Sequence, residues 1–400
     1  MKNLKIFTNN IEETAKAQID LLLEQEAFKD CKIRIMPDVH AGAGCVIGFT
    51  GNLGDKVIPN IVGVDIGCGM LCANLGNIDL DFEKLDILIR EYIPSGMNVH
   101  EKEVNYFDFS QLYCYNELKN KDNWLGKSLG TLGGGNHFIE IDVDNEDNKY
   151  LVIHTGSRNL GKQVAEIYQN KAIEYCSYKK EIQEEKSKII KEYKESGRQK
   201  EIQQALIEIN NKYEGKTKLP KELCYLEGND RFNYLHDMKL CQEFAYKNRE
   251  YIADTIIYEM GLGTLKYDSI YFQCIHNYID FEDNIVRKGA ISARKGERVI
   301  IPMNMRDGCI IGIGKGNEDW NCSAPHGAGR TMSRNIARQS LSMEDYKNSM
   351  NGIYTTSVNE ETIDEAPMVY KPMEEIIDHI KDTVEIEKII KPIYNFKASE

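Results

Sequence analysis

Apolar residues recur at helical spacing from Glu12 to Phe28 and again from Phe82 to Tyr92, where Leu85, Ile87, Leu88 and Ile89 supply the expected apolar face. Alternation at Lys5-Ile6-Phe7 and the run Lys32 to Met36 predict strands. From Pro37 to Leu75 the chain is rich in glycine and β-branched residues, the composition of buried strands joined by tight turns. Leu129 to Val143 reads as loop then strand, and Tyr150 to Ile153 as a buried strand ending at His154. Lys162 to Glu214 changes character to a long charged helical region with a break at Ser196-Gly197. Its simplest reading is a two-helix arm over residues 177–222, with i to i+4 charge pairs on solvated faces. A further helix runs from Arg231 to Met260 and stops at Gly261-Leu-Gly263. Strands follow at Ser269 to His276, Val286 to Ala293, Arg298 to Pro302 and Cys309 to Ile313. The remainder alternates short helices with loops and finishes in Lys391 to Lys397. This order predicts an α/β (α+β) body, and no repeat or low-complexity linker divides it, so residues 1–400 are expected to form a single unit carrying the arm.

Composition narrows the class. A formal charge of -13 disfavours a generic nucleic-acid binder, so any RNA must meet a local basic patch. Eleven scattered cysteines, odd in number and without an apolar signal region before them, read as reduced thiols in a cytoplasmic protein. Most serve as small buried hydrophobes. No apolar run approaches the roughly 20 residues that span a bilayer, so no membrane partner is expected.

The chemistry is concentrated in short glycine-rich signatures. Five of the eight histidines lie in them: His40 in Met36-Pro-Asp-Val-His, His137 in Gly133-Gly-Gly-Asn-His, His154 in His-Thr-Gly-Ser-Arg158, His276 beside Asn277, and His326 in His-Gly-Ala-Gly-Arg330. Asp65-Ile-Gly-Cys68-Gly adds a carboxylate and a thiol three residues apart. Asp65, Cys68, His137, His154 and His276 mix hard oxygen, soft sulfur and imidazole donors, a set that suits Mn, Fe, Co or Zn better than Mg or Ca. A thiolate able to bridge would support two ions a few ångströms apart, as displacement at phosphorus requires.

Other residues fit phosphate and base recognition. Asn136 is placed to bond a phosphate, and Glu140 to accept the donors of a guanine edge. Arg158 and Arg330 are fork-shaped phosphate donors. His326 differs from the other histidines: its Gly-Ala-Gly turn exposes an imidazole nitrogen as a nucleophile, and a phosphorus–nitrogen adduct is labile enough to pass a nucleotide onward.

These segments, with Gly63 to Met70, Lys288-Gly-Ala-Ile-Ser-Ala293 and His326 to Arg334, resemble the RtcB family of RNA-splicing ligases. Seven motifs stand in the family order from residue 36 to 334, and Lys397 extends the likeness almost to the end. The resemblance implies a family-specific α/β core, two Mn(II) ions and GTP as energy source. Asp65, Cys68 and His137 would hold one ion and Cys68, His154 and His276 the other, with Cys68 bridging. His326 would be the guanylylated nucleophile. GTP would meet Asn136, His137, Phe138, Ile139 and Glu140, then His276 and Asn277, then Pro302, Met303, Asn304, Met305 and Cys309, then Gly327, Ala328 and Gly329 beside His326, and Lys397 at the guanine. Arg158 and Arg330 would contact RNA phosphate.

The implied reaction opens a 2′,3′-cyclic phosphate to a 3′-phosphate with metal-activated water, guanylylates His326 from GTP, and passes the guanylate to the 3′-phosphate as RNA-3′-pp-G. A 5′-hydroxyl end then displaces GMP. RNA is the implied partner, with an archease-like activator as a further one. The chain is short for the family, which fits a bacterial RNA-repair branch. It departs from the family pattern at Cys322-Ser-Ala-Pro325, where Pro325 restricts the backbone ahead of His326, and at Pro302 to Gly308, where Arg306 and Asp307 bring charge near the nucleotide. Two other readings stay open from residues alone. One is a metal-dependent phosphodiesterase or nucleotidyl transferase that does not ligate. The other is a non-catalytic protein that docks on ribosomes or RNA through the arm.

Overall fold

The computed structural model describes residues 3–104, 106–120, 124–263 and 270–398. Its centre is an eight-stranded sheet. The strands run in the order Arg298–Asn304, Gly308–Gly314, Val384–Lys397, Phe138–Val143, Lys149–Thr155, Gly69–Gly76 and Tyr271–Ile275, with Tyr354–Thr355 pairing beside Val384–Lys397. A second sheet of five strands orders Leu4–Ile6, Ile33–His40, Ile47–Asn52, Ile285–Lys288 and Asn277–Asp280. The mixed α/β class expected from the residue pattern is the one observed.

Alternation along the central strands separates two faces. Leu71, Ile139, Leu151 and Ile153 turn to one side and pack on Ile252 and Ile256 of the Gly228–Glu259 helix. Met70, Cys72 and Val152 turn to the other side and meet Ile300 and Ile310. This parity also decides which side chains of the motif strands reach the site.

Helix Phe82–Tyr92 has the expected bounds, but its buried stripe is Leu85, Asp86 and Ile89, and Ile87 is exposed. Residues 85 and 89 are one helical turn apart, whereas 87 lies across the axis. Asp86 is buried because the Tyr394 hydroxyl donates to it at 3.0 Å and Arg90 at 2.8 Å.

The charged region is broken twice, into helices Arg158–Tyr175, Lys179–Glu195 and Ile202–Tyr213. Gly197 takes the expected break at φ +72, and Ser177 makes the other by bridging to Thr217. Lys212 pairs with Glu185 across the two outer helices, and Lys179–Glu195 buries none of its residues.

The largest departure from the expected elements is at the C-terminus. Where loops and short helices were expected, Val384–Lys397 is a 14-residue strand between Gly308–Gly314 and Phe138–Val143. Glu385, Glu387, Lys388 and Lys391 obscure its alternation, and Pro392 argues against a central strand. The sheet accommodates the proline at a register shift between Pro392 and Tyr394. Strand Tyr271–Ile275 is present, while the Ser269 start expected for it lies outside the described residues.

Candidate functional site

Four neighbouring strands bring the metal-type donors to one edge of the central sheet. Their pairing is antiparallel, so Phe138–Val143 and Gly69–Gly76 begin where Lys149–Thr155 and Tyr271–Ile275 end: Phe138 and Met70 both pair with His154, and Gly69 pairs with Ile275. Cys68, His137 and His276 flank those strand ends, and His154 lies within one. The buried Arg249 secures the edge, donating through Nη1 to Gly67 O at 2.8 Å and Thr155 O at 2.7 Å. Gly156 lets Asp65 approach, since a Cβ there would stand 2.1 Å from the Asp65 Oδ1.

Donor atoms converge within this edge. Cys68 Sγ lies 3.5 Å from His137 Nε2 and 3.3 Å from His154 Nε2. His137 Nε2 is 3.1 Å from Asp65 Oδ2, and His154 Nε2 is 3.0 Å from His276 Nε2. Asp65, Cys68 and His137 form one group of donors within 4.8 Å of one another, and Cys68, His154 and His276 form a second. Cys68 is common to both.

Hydrogen bonding sets the tautomers. His137 Nδ1 donates to Leu132 O at 2.9 Å and His154 Nδ1 to Asn136 O at 3.1 Å. A carbonyl only accepts, so in the neutral rings each Nε2 keeps its lone pair toward Cys68. Burial lowers the pKa of His154 and His276 well below the usual imidazole range, which keeps them neutral. Burial, with Asp65 beside it, pushes the Cys68 thiol well up, so a thiolate there requires a cation. Nitrogen, sulfur and carboxylate donors in these states fit a pair of transition-type divalent ions.

Next to this edge lies a cavity of about 580 Å³. Asn136, Phe138, Glu140, His276, Pro302, Met303, Asn304, Met305, His326, Gly327, Ala328, Gly329, Arg330 and Lys397 all line it, together with His154. Four expected nucleotide contacts do not: His137, Ile139, Asn277 and Cys309. Ile139 is fully buried on the opposite sheet face, as strand parity between Phe138 and Glu140 demands, and Cys309 is fully buried behind the wall. The His137 side chain faces the donor set instead, and Asn277 accepts from Gly289 N at 3.0 Å.

His326 follows the short strand Ser323–Pro325, which pairs with Ala290–Ser292. Its Nδ1 is 2.6 Å from Asp38 Oδ2, and its backbone N–H donates to the same oxygen at 3.1 Å. Asp38 is fully buried, and Gly329 clears its backbone, since a Cβ at Gly329 would lie 2.4 Å from Asp38 O. With Nδ1–H held by the carboxylate, the neutral ring presents Nε2 as a nucleophile. The His276 and His326 rings stand 4.8 Å apart, so this nucleophile adjoins the donor set. Asp38 was visible within the Met36–His40 signature but had no assigned role, because its partner is 288 residues away. His40 donates through Nδ1 to Asp38 O at 3.0 Å and lines the cavity.

Glu365 is a second residue that the sequence did not single out. Lys397 Nζ donates to it at 2.9 Å, Tyr370 OH at 2.6 Å and Arg334 at 2.8 Å, and the lysine and glutamate side chains are each 3% exposed. Lys397→Met is expected to cost about 2 kcal/mol in urea denaturation, less than stranding a buried charge outright, because Arg334 and Tyr370 still satisfy Glu365.

The two arginines expected at phosphate are differently placed. Arg330 lines the cavity and donates to Glu365 at 3.3 Å and Asp364 O at 2.6 Å. Arg158 lies outside the cavity lining and donates to Thr131 Oγ1 and Gly96 O, each at 2.8 Å. Arg306 and Asp307 pair with each other at 2.7 Å, and Asn304 Oδ1 accepts from both of their backbone N–H groups. The charges of that turn are therefore satisfied within it, while Pro302 to Met305 face the cavity.

Comparison with known proteins follows the same elements. A family model described as tRNA-splicing ligase RtcB matches residues 25–125 and 115–398. The chain is 31% identical to a protein named RNA-splicing ligase RtcB from Escherichia coli strain K12, over 99% of this chain and 97% of the relative. It is 27% identical to one named tRNA-splicing ligase RtcB from Nanoarchaeum equitans, over 89% and 85% of the two chains. No described helix is long and apolar enough to cross a membrane. Matches of this length run through every strand and turn that carries the side chains above, and the chain belongs to the RtcB family.

Proposed function

We propose that this chain is a GTP- and Mn(II)-dependent RNA ligase that joins 2′,3′-cyclic-phosphate or 3′-phosphate ends to 5′-hydroxyl ends, in RNA repair or tRNA splicing. The observation that carries this reading is His326, its Nδ1 held by a buried Asp38 and its ring 4.8 Å from a ligand-competent His276. A nucleophilic imidazole beside a two-group donor set is the arrangement that nucleotidyl transfer to a phosphate requires.

Asp65, Cys68 and His137 would hold one ion and Cys68, His154 and His276 the other; when bound, the ions polarise phosphoryl oxygens and offset developing charge. His326 Nε2 attacks the α-phosphate of GTP, a P–N bond forms, and pyrophosphate leaves. Asp38 stabilises the positive charge that develops on the ring. The 3′-phosphate, obtained by hydrolysis of the cyclic phosphate, then takes the guanylate and returns the electron pair of the P–N bond to Nε2. The 5′-hydroxyl oxygen displaces GMP and forms the phosphodiester.

Glu140 and Lys397 line the cavity together and are suited to a guanine edge, Glu140 as acceptor and Lys397 as donor. Arg330 is the better placed of the two arginines for phosphate.

The direct test incubates the protein with Mn(II), GTP and two RNA fragments bearing a cyclic phosphate and a 5′-hydroxyl. Joined RNA is the expected product. Consumption of GTP or cyclic phosphate with no joined product would replace this reading with the phosphodiesterase or nucleotidyl-transferase one. Asp38→Asn is expected to slow nucleotide transfer to His326 by a factor on the order of 10³ to 10⁴, because an amide donor at Nδ1 favours the tautomer that protonates Nε2. Single-turnover labelling measures it.

A further inference from the structure

We propose that Asp142, Cys309 and Glu140 bind a third divalent cation, of thiophilic type such as zinc, beneath the cavity and distinct from the Asp65-to-His276 donor set. The three come from two strands of the central sheet. Glu140 and Asp142 share one face of Phe138–Val143, being two residues apart, and Cys309 belongs to Gly308–Gly314. One carboxylate oxygen from each acid and the Cys309 sulfur lie within 4.8 Å of one another. All three residues are at most 2% exposed.

No nitrogen or oxygen donor among the described residues reaches either Asp142 oxygen, and the group beside them is the Cys309 thiol. On the adjoining strand, the fully buried Asn395 donates through Nδ2 to Glu140 Oε1 at 2.6 Å, yet its own Oδ1 is also unpartnered. A wholly buried carboxylate that no nitrogen or oxygen donor reaches is rare unless a proton or cation satisfies it. Nearby ammonium groups are engaged elsewhere: Lys397 with Glu365 at 2.9 Å, and Lys388 with Asp144 at 2.9 Å and Tyr150 at 3.0 Å. The Cys72 thiol also neighbours Asp142.

Burial pushes the Asp142 carboxyl up to about 7 and raises Glu140 and the Cys309 thiol well above their ordinary ranges. Bound to a divalent cation, all three would lose their protons, and the ion would offset two of their three negative charges. Two oxygens with a sulfur favour zinc-type ions over magnesium or calcium. An ionised carboxylate offers about four acceptor positions. Asn395 takes one on Glu140 and the cation a second, leaving two for a base edge. That last point alone rests on the ligase reading.

The experiment uses the full-length Cys68→Ser protein, in which the thiolate of the first donor set is gone, with Co(II) alone and Zn(II) alone as probes. The expected result is a remaining thiolate-to-cobalt charge-transfer band and about one equivalent of tightly held zinc, with Asp142→Asn weakening the affinity about 10-fold or more, as loss of a ligand does. Adding Cys309→Ser should remove the band. Circular dichroism monitors folding, and Asp142→Asn, nearly equal in size to the native residue, provides the second arm if Cys309→Ser does not fold. No band and no zinc in Cys68→Ser, or a band that survives Cys309→Ser, overturns the proposal and assigns the cluster to shared protons. Because no nucleotide or RNA is used, the result is independent of whether the chain ligates.

Discussion

His326→Ala protein, incubated with Mn(II) and GTP labelled on the α-phosphate, is expected to carry no acid-labile label after denaturation, whereas wild type retains it. Ligation should fall by a factor on the order of 10⁴ or more, since removing a covalent nucleophile eliminates the path instead of slowing one step. The methyl group that remains cannot donate to Asp38 or attack phosphorus. Nothing in the packing predicts unfolding, because the ring lines the cavity and is not in the core. Label on the alanine variant would move the nucleophile to another residue. Absence of label from wild type across Mn, Co and Zn would remove the guanylylation step altogether.

Cys68→Ser should produce an effect of similar size by a different route. Cys68 is the one donor common to both groups, with its sulfur 3.5 Å from His137 Nε2 and 3.3 Å from His154 Nε2. A serine hydroxyl is shorter, harder and does not ionise at neutral pH, so both groups lose their shared anion at once. Mn(II) affinity, read from the paramagnetic signal of the free ion during titration, is expected to weaken at least about 100-fold, more than typical outer-partner losses. RNA joining should become undetectable under single-turnover conditions. If Mn(II) binding were unchanged, the metal centre would have to lie away from this strand edge.

The local elements were largely legible. Helix Phe82–Tyr92 and strand Lys149–Thr155 announced themselves because their periodicity is carried by residues within a few positions of one another. Strand Val384–Lys397 did not, because its stability comes from neighbours on both sides, 70 to 81 and 248 to 259 residues earlier, and not from its own charged and proline-containing pattern. Ile87 was misplaced for a related reason. Apolar identity was visible, but Asp86 is buried by the Tyr394 hydroxyl, a partner 308 residues distant.

The site divides along the same line. By itself the sequence determined which donor types exist and their order along the chain, since Asp65, Cys68, His137, His154, His276 and His326 each sit in a short signature whose glycines permit close backbone approach. It also marked much of the cavity wall, but it placed His137, Asn277, Ile139 and Cys309 there, where side-chain direction, strand parity and sheet depth intervened, and it did not single out Glu365 or Tyr370. Only the tertiary structure decided which imidazole nitrogen of His137 and His154 faces the shared thiol, which carboxylate holds His326, that Lys397 is paired with Glu365, and that Asp142 is buried with no nitrogen or oxygen donor among the described residues. The physical reason is reach: signatures encode covalent neighbours, whereas a tautomer, an ion pair or a buried orphan depends on hydrogen bonds between strands that meet only when the sheet closes.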